Sequence, residues 1–323
     1  MKKSAPPDLL GNRPETIALL EKNKDDIRPF TFWVAGDPHK DDFLRMLYPE
    51  QVKPQHPAFG IVLGDVVVHP LREQHQYFWH EASRWGIDSP VLMVVGNHDV
   101  AEADPTGVPG WAPNPFYLNQ FEDAYGPGDF SFKYAGCLFI IINDVMEGGD
   151  VNLKFLKEVL EEDAPDARMI FVFCHIPPRT EHAVTKYNSA FIPGFADLAE
   201  KYRIDYVISG HFHTYVRKTL SGTTYLISGG GTGLAGRESI FLSHGVFFDV
   251  DPASRTVTER VMVVYDGFFR NTLYHLGYSA VVDITVFMKS HRFLAVSCYT
   301  VNLILLILFL IPTVRRLRRK KDA

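Results

Sequence analysis

A chain of 323 residues with 46% hydrophobic and 22% charged side chains can bury a sizeable core, which excludes general disorder. Its 3 cysteines, Cys137, Cys174 and Cys298, are too few and too scattered for a disulfide framework or a thiolate cage, so any metal must take nitrogen and oxygen ligands. The net charge of -5 includes a basic cluster at residues 315–323, so the remaining body is more acidic still, which argues against the phosphate-backbone grip of a nucleic-acid binder.

Residues 1–29 read as an N-terminal extension: lysines near the start have no apolar run behind them, so no secretory signal is readable. From residue 30, short apolar runs closed by Gly, Asn or His alternate with charged stretches of helical spacing, the rhythm of an α/β fold. Strands are predicted over 30–35, 59–63, 91–95, 138–142, 168–173 and 206–208. Most are apolar on both faces, as in a sheet covered on both sides, and helices predicted over 71–85, 151–162 and 194–202 supply the cover. The Pro-, Gly- and aromatic-rich stretch 104–128 reads as an ordered surface loop bordering a site. After Gly210 the pattern changes to antiparallel strands, predicted over 214–219, 223–227, 245–250 and 256–264.

These runs make residues 30–266 one catalytic domain, followed by a stem at 267–292. Residues 293–314 form a nearly uncharged apolar segment of about the length a bilayer-spanning helix needs, and the basic tail 315–323 follows at once. The expected architecture is therefore an α/β domain plus one C-terminal transmembrane helix.

Each apolar run ends in side chains able to bind metal: Asp37-Pro38-His39, Gly64-Asp65, Gly96-Asn97-His98-Asp99, His175, and Gly210-His211-Phe212-His213. An isolated Asp-x-His is ordinarily a surface loop, and a lone strand-end His a satisfied polar residue. The repetition matters because the carboxyl ends of parallel strands share one sheet edge, where loops distant in sequence converge. Unrelated capped turns would not generate such a series. Cys174 should point away from this edge as a small buried hydrophobe, since side chains alternate across a strand. The run from Gly229 to Gly233 lacks the Lys-Ser/Thr of a P-loop and reads as a tight loop at the site rim. His182, His244, His275 and His291 read as surface or core, with His182 close enough to His175 in sequence to line a cleft.

The order Asp-x-His, Gly-Asp, Gly-Asn-His-Asp, a later His and Gly-His-x-His resembles the calcineurin-like metallophosphoesterase superfamily over roughly residues 31–265. The stretch from Phe130 through Asn143-Asp144 to Leu156 is similar to its cyclic-nucleotide-phosphodiesterase and purple-acid-phosphatase branch. The resemblance implies a metallo-dependent phosphatase fold, two packed β-sheets flanked by helices, with metals at one edge. It implies two divalent ions, one on Asp37, His39 and His213 and the other on Asn97, His175 and His211, with Asp65 bridging both. A shared carboxylate offsets the repulsion of cations roughly 3.5–4 Å apart, and such a pair activates a hydroxide for in-line attack on phosphorus. The resemblance places His98 beside the leaving oxygen as proton donor or charge stabiliser, a task that suits an imidazole. Asp99 either orients His98 or closes the loop. Purple acid phosphatases have Asp-x-Gly in the first motif and a tyrosine three residues after the bridging Asp. His39 and Val68 stand there instead, so no purple iron centre is expected, and Mn, Fe and Zn remain open.

The expected reaction is hydrolysis of a phosphate mono- or diester or a pyrophosphate linkage by a membrane-anchored enzyme, with a lipid-linked substrate favoured. The alternatives are a catalytically silent binding module, disfavoured by the full ligand set, and a soluble-nucleotide phosphodiesterase. A nuclease is disfavoured by the acidic body, and no nucleic-acid partner is expected. The basic tail alone would place the domain outside the cell by the positive-inside rule. With no export signal readable, a tail-anchored, cytoplasm-facing domain is the expectation.

Overall fold

The computed structural model describes residues 5–39, 43–103, 111–146, 150–178, 194–230 and 243–264, with isolated positions between 276 and 284. The chain divides into two compact units, Met1–Tyr274 and His275–Ala323. In the first, the chain order is α1 (Pro14–Glu21), β1 (Phe30–Ala35), α2 (Phe43–Leu47), β2 (Phe59–Val62), α3 (Arg72–Ala82), β3 (Val91–Met93), α4 (Asn97–Val100), β4 (Ala101–Ala103), β5 (Trp111–Pro113) and α5 (Pro115–Tyr125). There follow β6 (Phe130–Tyr134), β7 (Cys137–Ile141), α6 (Asp150–Asp163), β8 (Met169–Phe173), α7 (Phe195–Lys201), β9 (Tyr206–Ser209), β10 (Tyr215–Leu220), β11 (Thr223–Ser228), β12 (Ser243–Asp251) and β13 (Thr256–Val264).

Two mixed sheets carry the fold. The first has the order β13-β12-β1-β2-β3, with β1, β2 and β3 parallel and β12 and β13 added antiparallel. The second has the order β10-β11-β9-β8-β7-β6, with β7, β8, β9 and β11 parallel and antiparallel strands at both edges. Period-2 alternation sorts the apolar residues into layers. Phe32, Phe59, Phe139, Phe171, Phe173 and Phe248 fill the space between the sheets. Phe32 stacks on Phe248 at 4.6 Å and meets Phe171 edge-on at 5.5 Å, so rings from both sheets interlock. Trp33, Ala35, Val62 and Met93 take the opposite face of the first sheet, under Phe78 and Trp79 of α3 and Phe121 of α5. Leu138, Ile140 and Val172 do the same for the second sheet, under Leu156 of α6 and Phe195 of α7. The result is the expected pair of packed sheets flanked by helices. Cys174 is buried in that last layer, facing away from the metal-capable motifs.

The stretch ahead of β1 is integrated with this domain. Leu10 is buried and bridges Val91 in parallel, and Asn12 exchanges two 2.8 Å hydrogen bonds with the backbone of Met93. An otherwise open edge at β3 is thereby covered. The predicted loop 104–128 is in part helical: Asn114 caps α5 by accepting from Phe116 N at 2.9 Å, Pro115 occupies the first turn, and Gly126 ends it at φ 97. Among the described residues no helix is long and apolar enough to cross a membrane, and the predicted span 293–314 lies outside them.

A buried polar trio links α3 to α5. Trp79 Nε1 donates to Tyr125 Oη at 2.8 Å, and His75 Nδ1 lies 3.1 Å from the same oxygen. His75 Nε2 has no hydrogen-bond partner among the described residues. Burial pushes this imidazole down from 6.5 to about 3, so the fold accepts only the neutral ring. Because the folded value lies below the unfolded one, the contribution to stability is complete above pH 6.5 and is lost as pH falls towards 3. Chemical denaturation at pH 6.5 and 4.5 is expected to show a loss of stability that is smaller in His75→Gln than in wild type by about 1.4 kcal/mol per pH unit. Equal slopes in the two proteins would show that His75 is not the group responsible.

Candidate metal centre

The motif residues lie where the parallel strands of both sheets end. Asp37 and His39 follow β1, Asp65 follows β2, and Asn97, His98 and Asp99 form α4 after β3. His175 follows β8, and His211 and His213 follow β9. The first sheet thus supplies Asp37, His39, Asp65, Asn97 and His98, and the second supplies the other three imidazoles.

The backbone at this edge is strained. Asp37 (φ 58), His39 (φ 44), Asp65 (φ 56) and His211 (φ 64) all occupy the left-handed region. For residues with a Cβ this costs of order 1–3 kcal/mol each and persists only where surrounding contacts enforce it, a condition met most often at functional sites. The glycine before Asp65 has a steric reason: a Cβ on Gly64, itself at φ 90, would stand 2.6 Å from His175 Nδ1. A Cβ on Gly96 would overlap the Asp65 carboxylate.

Main-chain carbonyls set the imidazole orientations. His175 Nδ1 lies 2.7 Å from Leu63 O, His98 Nδ1 2.7 Å from Val68 O, and His39 Nδ1 3.1 Å from Val67 O. A carbonyl can only accept, so each Nδ1 carries the proton, and in the neutral ring each Nε2 keeps its lone pair. Two of these atoms approach Asp65 Oδ2, His175 Nε2 at 3.3 Å and His39 Nε2 at 3.7 Å. Asp65 Oδ1 accepts from His98 N at 2.8 Å. Nearby, Asn97 Oδ1 is 3.0 Å from His175 Nε2 and 2.9 Å from His211 Nδ1, and those nitrogens are 3.2 Å apart. Asp37 Oδ1 stands 3.5 Å from His213 Nε2. Electron-pair donors gathered this closely repel one another unless positive charge lies among them.

The donors fall into the clusters Asp37–His39–His213, His39–Asp65–His98 and Asp65–His175–His211, each with its ligand atoms within 4.8 Å of one another. The first is the trio expected on one ion, and the third holds two of the three residues expected on the other. His98, expected to act without ligating, shares a cluster with His39 and Asp65. An all-nitrogen-and-oxygen set built on imidazole and carboxylate suits a first-row divalent ion. Donation of Nδ1–H to a carbonyl is the outer-shell bond that ligating histidines ordinarily make.

Protonation follows the same logic. Burial pushes His39 and His211 down to about 4, leaving them neutral, the form that ligates. Burial also opposes charge on His175 and Asp65, but each overrides it for the other. The Asp65 carboxylate lifts His175 to about 10, and the His175 cation holds Asp65 well below the usual carboxylate range. Asp99 accepts from Gly96 N at 2.9 Å, Asp65 N at 2.9 Å and Val66 N at 3.0 Å, which closes the loop carrying Asp65. From α3, Gln74 Oε1 accepts from Val68 N and His69 N, both at 3.0 Å, and steadies the same loop.

A family model described as calcineurin-like phosphoesterase matches residues 30–215, more than half of the chain and all of the motifs above. The chain belongs to that family. That family is described by phosphoester hydrolysis. Among curated proteins, this calcineurin-like phosphoesterase is 27% identical over 179 residues to the serine/threonine-protein phosphatase CPPED1 of Danio rerio. That match covers 49% of this chain and 54% of the relative, so the chain spans about half the relative's length. Among solved structures, a purple acid phosphatase, PPD1 from yellow lupin (Lupinus luteus) seeds, superposes with a TM-score of 0.50 at 14% identity. It covers 76% of this chain and 55% of its own, and supports the fold alone. GAP50, the anchor in the inner membrane complex of Plasmodium, aligns over 79% of this chain and 95% of its own at 14% identity, with a TM-score of 0.46.

Two contributors were not legible as site residues. The carbonyls of Leu63, Val67 and Val68 orient three imidazoles, but a carbonyl has no side-chain identity to read. Gln74 lies in a helix whose apolar spacing gives no hint of a hydrogen-bonding task. Of the remaining histidines, His244 is buried, its ring 5.8 Å from Tyr215, while His182, His275 and His291 lie outside the described residues.

Proposed function

We propose that this calcineurin-like phosphoesterase hydrolyses a phosphate mono- or diester, or a pyrophosphate linkage, at a dinuclear centre. Asp37, His39 and His213 would hold one divalent ion, Asn97, His175 and His211 the other, with Asp65 between them. The reading rests on the position of Asp65, whose carboxylate takes part in two donor clusters at once. Manganese, iron and zinc all suit this donor set. Bound there, two such ions would supply Lewis acidity towards a phosphoryl oxygen and would lower the pKa of water. The protein's own part is orientation and proton transfer. Neutral imidazoles and one amide would leave the centre positive enough to attract phosphate, with Asp65 as the shared anionic ligand. With Nδ1 committed to Val68 O, the His98 ring exchanges protons at Nε2, the atom proposed to serve the leaving oxygen.

The apolar segment 293–314 supports a membrane anchor, and with it a lipid-linked phosphate as substrate; the catalytic domain is proposed on the cytoplasmic side, against the orientation that the basic residues after the segment favour. The relative's name adds a phosphoprotein monoester to the candidates. One experiment tests these points: the full chain and a form lacking 293–323 are assayed with Mn2+ against soluble mono- and diesters, a phosphopeptide and a lipid phosphate in vesicles. Both forms should show metal-dependent hydrolysis. The full chain alone should sediment with membranes and turn over the embedded lipid faster. Absence of metal-dependent turnover would overturn the hydrolase reading, equal sedimentation the anchor, and equal lipid turnover the lipid preference. Protease resistance of the domain in sealed inverted vesicles would overturn the cytoplasmic assignment.

A further inference from the structure

Asp144 stands just beyond the end of β7, beside the parallel strand β8 that leads into His175. It is buried and belongs to none of the donor clusters. Its two carboxylate oxygens accept from successive main-chain amides: Oδ1 from His175 N at 3.1 Å and Oδ2 from Ile176 N at 2.9 Å. A segment held at two adjacent N–H groups cannot turn about its own axis. The direction of the His175 Cα–Cβ bond is therefore fixed from the backbone, while Leu63 O fixes the ring from its far side at 2.7 Å. His175 is fully buried between these two grips, and its Nε2 stands 3.3 Å from Asp65 Oδ2 and 3.0 Å from Asn97 Oδ1.

We infer that Asp144 is a positioning residue: by chelating the amides of His175 and Ile176 it sets where His175 Nε2 stands in the metal centre. The inference rests on the proposed metal-binding role of His175. It differs from a stability role, because the same strand carries a comparable bond at its other end, where Asp205 Oδ2 accepts from Ile170 N at 2.8 Å, away from the motifs. If Asp144 served only to hold β8 in the sheet, the two carboxylates would be interchangeable in effect.

The experiment is Mn2+ titration of the full chain by calorimetry, on wild type, Asp144→Asn and Asp205→Asn. Asparagine keeps the shape but offers one acceptor oxygen, so one of the two amide bonds is lost. Asp144→Asn is expected to weaken Mn2+ binding roughly 10–100-fold, the range for outer-shell partners of a ligand. Saturating Mn2+ should bring its kcat back to within about threefold of wild type, because what is lost is the placement of a ligand and not a reacting group. Asp205→Asn should leave Mn2+ affinity unchanged. Should Asp144→Asn not fold, Asp144→Ser, which retains one hydroxyl acceptor, is titrated in its place. Unaltered Mn2+ binding in the Asp144 variants, equal weakening by Asp205→Asn, or loss of folding in both Asp144 variants would overturn the proposal. A wild-type chain that binds no Mn2+ would overturn the metal centre itself, a result distinct from all of these.

Discussion

Asp65→Asn is expected to lose its metals and its activity together. The substitution is nearly isosteric, and asparagine tolerates the left-handed backbone that residue 65 adopts, so the fold should survive it. What it removes is charge. The carboxylate faces His175 and His39 on one oxygen and the main chain of His98 on the other, so an amide in its place removes the negative charge proposed to offset the two cations. Metal content after dialysis should fall by more than the roughly 10–100-fold seen when an outer-shell partner is changed, since Asp65 is proposed to touch both ions. Turnover should fall with it. A variant with full metal content and full rate would sink the assignment.

His98→Ala should behave in the opposite way, keeping its metals while losing rate by roughly 10²–10⁴-fold, the range for a proton-transfer group. The geometry makes this a sharp test, because His98 shares a donor cluster with His39 and Asp65. Its ring lies 4.5 Å from that of His39, close enough to serve either as a ligand or as a proton carrier. Metal analysis of the variant separates the two. Retained metal with depressed kcat assigns proton transfer, and lost metal makes His98 a ligand.

Much of this candidate site is legible in the sequence, for a physical reason. The candidate ligands are side chains of distinctive chemistry, and they sit at strand ends, where an apolar run stops abruptly. β1 and β13 match their predicted bounds, and the other predicted strands differ from those observed by a few residues at most. What escaped notice depends on groups without a sequence identity or on context. The stretch that holds α5 reads as loop because Pro and Gly are ordinarily loop formers, although Asn114-Pro115 and Gly126 are an N-cap, a first turn and a stop. The segment from Leu10 to Asn12 lies in the stretch that reads as an N-terminal extension, and its partners, Val91 and Met93, are some eighty residues away, beyond the reach of local sequence pattern. Asp144 carries the same signature as the metal motifs, an acidic residue closing an apolar run, yet it faces main-chain amides. Which group a carboxylate meets is decided by the neighbouring strand.

The division of donors between the sheets ties metal affinity to the mechanics of the sandwich. Each proposed ion would draw ligands from both sheets: Asp37 and His39 with His213, Asn97 with His175 and His211. Between the sheets lie the interlocked rings of Phe32, Phe171 and Phe248. An ion bound at the edge therefore acts as a rivet across two plates, and any free energy of binding adds to the work of prying them apart. Release of the metal and parting of the sheets become linked equilibria. A defect in the aromatic layer, well below the reacting groups, would then be felt as weaker metal retention.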